Sequence, residues 1–557
     1  MRNLVKKAIR SGAIAVLPIA MLLPMQTIAH GATTATTLTL YAPKDLAGVP
    51  ELPFTGNRSA DFTLPDQMAS MDVTPNNGPV GTPITITGKG LAPSTSLTLT
   101  WSTADGAWLA DVQPNTVNYM GLKYSKYNMD MTKVTTDANG GFVFKTTVPL
   151  DWGGPHDIYA VSNGAALAHG GFQTNPHLSF SPASGPIGTP VHVTYSGMAP
   201  TLYTGGAAVL WDNKSVGEAQ AVWTRGVADF KIRAAGPVGN HFLQINVGLN
   251  AQYMNIRQSP VPYARGGIGA FRVTKDAGAP AASIEWPSKV KPSVTARTTL
   301  GTAGLDPATQ AQISLSSDSG EVGSTTKMHV TNIPNGSYDI VLSSVQGNRV
   351  NCPTSTCWVY NPLKIGTVTV TNGVIENKDV TIPDNLGGWH VIQVKKGDLI
   401  EAQEPFYVKE SIFIYKDSSG KTLSNGIAAS DPTGLPEDRA GSGVPKSTFK
   451  EGEEFTIAMK GVGWTQFDNT LAITYDNAFV GYSCGFNSNG YMVAHLYATG
   501  GIGTHIIDLH PLLYTNQPSF DSTPYGMQPV LSYANDFPSL ALGYQPPAVH
   551  FAITITK

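Results

Sequence analysis

The chain has 557 residues, a formal net charge of −3 and 13% charged residues, against 58 Gly, 40 Pro and 41% apolar residues. With no basic stripe, this balance excludes an electrostatic nucleic-acid binder, and the recurring apolar runs exclude a disordered chain. The length and the turn-rich composition fit a β protein of roughly three to five domains.

Residues 1–31 read as a secretory signal. Arg2, Lys6, Lys7 and Arg10 precede an apolar run from Ala13 to Met25, and small residues from Thr27 to Ala32 offer a cleavage site. The run is short for a membrane span and contains Pro18 and Pro24. No later segment reaches the ~20 apolar residues that a span needs. The expectation is a secreted, cell-surface-associated mature chain without a transmembrane span. Residues 32–70 are Thr/Ala-rich and then Pro-rich, either a flexible leader or a strand that pairs with another element. Leu52-Pro53-Phe54-Thr55-Gly56 matches the sortase pattern by chance, because it lies near the N-terminus with no apolar segment and basic tail behind it.

A repeat then emerges. Residues 71–93 contain Pro75-Asn-Asn-Gly78-Pro79-Val80-Gly81-Thr82-Pro83, and residues 178–200 contain Pro182-Ala-Ser-Gly185-Pro186-Ile187-Gly188-Thr189-Pro190. Pro fixes φ and Gly permits positive φ, which is turn chemistry. Alternating strands follow, at Ile84 and Ile86 and at Val191 and Val193. Weaker copies lie at Gly320-Glu-Val-Gly323-Ser324 and Lys450-Glu-Gly452-Glu-Glu454. Each copy later carries a Gly-x-His entry to a strand, at His156, His241, His390 and His505. The blocks at Pro75 and Pro182, with Gly88-Lys-Gly90-Leu-Ala-Pro93, resemble the IPT/TIG class of immunoglobulin-like repeats found in bacterial surface proteins. The resemblance implies β-sandwiches acting as spacer, adhesive or binding modules, and it brings no catalytic residues.

The expected fold is all-β, with tandem immunoglobulin-like β-sandwich modules in an extended multi-domain chain. Its parts are a signal (1–31), an N-terminal segment (32–70), module 1 (71–175), module 2 (176–275), a linker (276–310), module 3 (311–410) and module 4 with an aromatic-rich extension (411–557).

Candidate sites follow from residue type. Cys352 and Cys357, five residues apart, suit a small disulfide loop in an oxidising compartment, and Cys484 reads as a buried small apolar residue. The recurrent histidines share strand faces with Ile158, Leu243, Ile392 and Ile507, so they read as core-facing structural residues and not metal ligands. Asp137-Ala-Asn-Gly140 reads as a hairpin turn, because the further ligands of a calcium loop are missing. Trp101 and Trp211 are expected in the core, whereas Trp152, Trp389 and Trp464 stand at boundaries where exposure is open to them. Tyr119, Tyr124, Tyr127, Tyr525, Tyr533 and Tyr544 are the candidate ligand-contact aromatics, with self-covering loops as the competing reading. No catalytic residue, metal ligand or cofactor is assigned.

The functional expectation is an exported non-catalytic structural or adhesive protein of the cell surface or matrix, displaying its modules end to end as a semi-rigid rod. Its partners would be other surface proteins, itself or polysaccharide. A carbohydrate-binding protein and an exported hydrolase are the alternatives.

Overall fold

The computed structural model describes residues 39–41, 56–113, 116–201, 206–247, 266–286, 300, 304–347, 358–412, 415–416, 422–423, 427–429, 447–465, 467–485, 489–512, 528–542 and 546–557. The leader, Leu52 to Thr55, Cys352, Cys357, Tyr525 and Tyr544 lie outside these residues, as does the side chain of Tyr119.

Four sandwiches repeat one plan. In module 1, Ala69–Thr74, Pro83–Gly88 and Phe142–Thr147 pair antiparallel as one sheet. The facing sheet runs Ala165–Thr174, Gly154–Ser162, Ser96–Gln113, Thr116–Thr135. A short strand, Asn77–Gly78, switches sheets and runs parallel to Ala165–Thr174. The same parallel switch recurs as Ser184–Gly185 on Ile268–Val273, Ser319–Glu321 on Leu399–Lys409 and Thr448–Lys450 on Ala548–Thr556. This switching edge strand makes the sandwiches immunoglobulin-like.

The turn after each switch explains the repeat. Thr82 N donates to Pro79 O, and Gly81 sits at φ 81°. Its counterparts are Thr189 to Pro186 with Gly188 at 84°, Ser324 to Glu321 with Gly323 at 82°, and Glu453 to Lys450 with Gly452 at 81°. A type II turn needs positive φ at its third residue, so glycine persists there even where the Gly-Pro pair is lost.

The modules also alternate in kind. In modules 1 and 3 a serine closes the strand beside the histidine: Ser102 Oγ accepts from Asp157 N, and Ser343 Oγ from Val391 N. In modules 2 and 4 an Asp-Asn hairpin does so: Asp212 accepts from Phe242 N, and Asp476 from Ile506 N. Odd modules dock on even ones through the same joint. Gly153 N donates to Met198 O, and Gly387 N donates to Val462 O. A β-carbon at either glycine would collide with the facing carbonyl, of Gly197 or Gly461. The chain is thus two copies of a two-module unit.

The modules do not string out end to end. A segment of module 4, Gln528 to Leu542, crosses to module 2 and extends its sheet edge: Glu218 N donates to Pro529 O, and Leu531 N donates to Glu218 O, both at 2.8 Å. It delivers Val530, Tyr533, Phe537 and Leu540 into a cluster with Trp108 of module 1, Val222 and Trp223 of module 2, and Trp389 and Tyr407 of module 3. All four modules share this core. The expected rod is corrected by it, because a tryptophan buries ~150–250 Å² and several of them converge here. The paired strands Ser96–Gln113 and Thr116–Thr135 are long because they carry Trp108 to this centre.

The two irregular stretches are pinned as well. Thr39–Tyr41 pairs with Trp108 to Ala110, and Ser283–Glu285 pairs with Ala548 to His550.

Gly387→Ala is expected to destabilise the module 3–4 joint by about 1–3 kcal/mol, the cost of overpacking. Gly164→Asn, at φ 74° with nothing within 4 Å of a new β-carbon, should stay within about 0.5 kcal/mol. Urea unfolding of both variants checks this.

Candidate functional site

The recurrent histidines are structural. His156, His241, His390 and His505 each turn Nε2 to the carbonyl four residues before, on Trp152, Pro237, Leu386 and Gly501, at 2.7–3.0 Å. Each turns Nδ1 to an oxygen on the adjoining strand end: Ser102 O, Asp212 Oδ2, Ser343 O and Asp476 Oδ2. Three of the rings stack on an aromatic of the neighbouring strand, Trp101, Trp211 or Tyr475. Complete burial pushes His390 below the ordinary imidazole range. His505 is also desolvated, but its bonds to Asp476 outweigh that and hold it above the ordinary range.

The aromatic candidates divide. Tyr533 is 8% exposed within the shared core, so it is no open contact platform. Tyr124 packs edge-on to Trp152 beside the same core, and desolvation raises its hydroxyl well above the ordinary value. Both face inward because their segments cover other modules. Tyr127 is half-buried, with Arg58 over its ring at 3.9 Å and Arg225 donating to its hydroxyl at 2.7 Å. Trp152, Trp389 and Trp464 are at most 2% exposed, since the boundaries they mark are docking joints. Trp464 Nε1 donates to Trp389 O across the module 3–4 joint. Cys484 is half-buried against Leu300, Val345, Leu386 and Trp464. Asp137 Oδ1 accepts from Asn139 N and Gly141 N, closing the hairpin turn.

The candidate site is a cavity of about 430 Å³ between modules 2 and 4. It follows from strand alternation in Gly503–Pro511. Ile507 and Leu509 enter their own module's core, while Ile506 joins the core of module 2. Asp508 and His510 therefore face module 2 too, since alternate residues share a face. Ala228–Arg233 brings Lys231 and Arg233, Ala548–Thr556 brings His550, and Ser283–Glu285 brings Glu285.

These charges form a chain. Arg233 Nε donates to Asp508 Oδ1 at 2.7 Å, and Arg233 NH2 reaches the Ile507 and Phe551 carbonyls at 3.1 and 2.7 Å. His550 Nδ1 bonds Asp508 Oδ1 at 2.7 Å, its Nε2 faces Glu285 Oε2 at 3.6 Å, and Lys231 pairs with Glu285 at 2.6 Å. Desolvation would raise Asp508, but Arg233 and His550 outweigh it and hold the carboxyl far below the usual range. His550 nearby, aided by Lys231 against desolvation, lowers Glu285 to about 2. Desolvation opposes the charge on His550, yet Asp508 and Glu285 lift it above the ordinary value. His510 is lowered to about 4 by burial, so it is neutral at pH 7.

His550 thus bonds Asp508 through Nδ1 and turns Nε2 toward Glu285. The arrangement offers fixed hydrogen-bond donors and acceptors. Among the described residues, no group of three or more His, Cys, Asp or Glu side chains is placed to hold a metal ion. Among them, too, no helix is long and apolar enough to cross a membrane.

Reasoning from sequence assigned no role to His510 or Asp508. It missed Arg233, Glu285 and His550. The available signal was Ile506-Ile507-Asp508-Leu509, apolar on both faces, which marks a strand buried on both sides.

No family model and no curated protein matches the chain. Solved structures with similarity include an α-2-macroglobulin from Salmonella, reacted with methylamine. It is 10% identical, covers 88% of this chain and 31% of its own, and has a TM-score of 0.16. The adhesin FdeC from Escherichia coli is 13% identical over 61% of this chain and 96% of its own, with a TM-score of 0.14. The chain spans under a third of the α-2-macroglobulin. The fold class stands on the strand pairing above and not on these likenesses.

Arg233→Met is expected to cost about 3–5 kcal/mol, because it leaves Asp508 buried without its main counter-charge. The depressed Asp508 contributes stability above the unfolded carboxylate pKa of about 3.9 and loses it as pH falls further. The gap between wild type and variant should therefore narrow below about pH 4. Urea unfolding across pH 2–8 measures it.

Proposed function

We propose that the chain is an exported, non-catalytic structural or adhesive protein of the cell surface or extracellular matrix. The observation that carries this reading is the shared core, which joins residues of all four sandwich modules in one cluster. Loops on a rigid scaffold suit recognition because little entropy is lost on contact. The basic and apolar leader pattern supports export. The most enzyme-like pair, Asp508 and His550, supports structure instead, since Arg233 of module 2 donates to the same carboxylate oxygen across the interface.

The test is fractionation of expressing cells, with N-terminal sequencing of the product and protease treatment of intact cells. The expected outcome is a chain cut near residue 31, found outside the cell or lost from its surface under protease. A chain that keeps its leader and stays protected in the cytoplasm would overturn the reading.

A further inference from the structure

We propose that the cavity between modules 2 and 4 is a binding site for a neutral saccharide of one or two rings. Its volume of about 430 Å³ lies in the lower part of the ~300–1,000 Å³ range of small-molecule sites. Its lining combines two features that a sugar needs. Pro190, Pro280 and Ala281 supply apolar walls for ring C–H faces. Lys231, Arg233, Glu285, Asp508 and His550 supply donors and acceptors already held in place by one another.

The order of charges selects the ligand class. An anion entering the cavity meets Glu285 and Asp508, and a cation meets Lys231, Arg233 and His550. The signs are interleaved, so a net charge of either kind gains little. A hydroxyl donates and accepts at once, and matches both. The site is formed by two modules together, so it exists only while they stay docked.

Saturation-transfer NMR on the purified full chain tests this, with a panel of neutral mono- and disaccharides and with glucuronate and glucosamine as charged comparators. Lys231→Met and Glu285→Gln are the variants; these side chains are 55% and 40% exposed, and their melting temperatures are read beside binding to show that both variants stay folded. The expected result is binding of at least one neutral sugar, about tenfold weaker in each variant, the loss of one charge-assisted hydrogen bond. Three results would overturn the proposal. They are no neutral sugar bound at the highest soluble concentration, binding unchanged in both variants, and tighter binding of glucuronate or glucosamine than of any neutral sugar. The measurement is made in solution, so its outcome is independent of where the protein resides.

Discussion

Asp536 lies on the module 4 segment that crosses to module 2. Its Oδ1 accepts from Trp108 Nε1 of module 1 at 2.9 Å, and its Oδ2 accepts from Trp223 N and Thr224 Oγ1 of module 2 at 3.0 and 3.2 Å. Full burial pushes its carboxyl up to about 7, so the group is costly to keep in place. The surrounding cluster of Trp108, Trp223, Tyr533 and Phe537 supplies the apolar burial that offsets the cost. That one carboxyl ties modules 1, 2 and 4 together.

The alternation of modules gives the assembly its logic. Each odd module docks on the next even one through a glycine that lets two backbones touch. The two even modules then meet face to face through Arg233 and Asp508. A sheet face that would otherwise carry solvated residues carries Ile506, Asp508 and His510 instead. The cavity is a by-product of that docking, lined by groups whose charges are satisfied across the interface. Fixed geometry and a polar recess arise from the same contacts.

The module repeat was legible because its cause is local. A type II turn demands glycine at Gly81, Gly188, Gly323 and Gly452, whatever surrounds it. The histidine position was legible for the same reason, since its partners lie four residues back and on the adjoining strand. The packing of modules was not legible, because it rests on pairs such as Trp108 with Asp536 that are 428 residues apart. Tyr533 reads as a display residue in a Pro/Gly-containing stretch and proves to be core, because what buries it comes from other modules. Exposure read from local sequence assumes that a loop meets solvent. Here the loop meets a neighbour.

A double-mutant cycle between Trp108→Phe and Asp536→Ala, read by urea unfolding, bears most directly on the shared core. Trp108→Phe removes one indole N–H and keeps an apolar ring. If modules 1 and 4 meet as described, the two changes should couple by about 1–3 kcal/mol, the range for a buried hydrogen bond to a carboxyl group. Effects that add to within about 0.5 kcal/mol would show that the two residues do not touch, and that the modules fold as separate bodies.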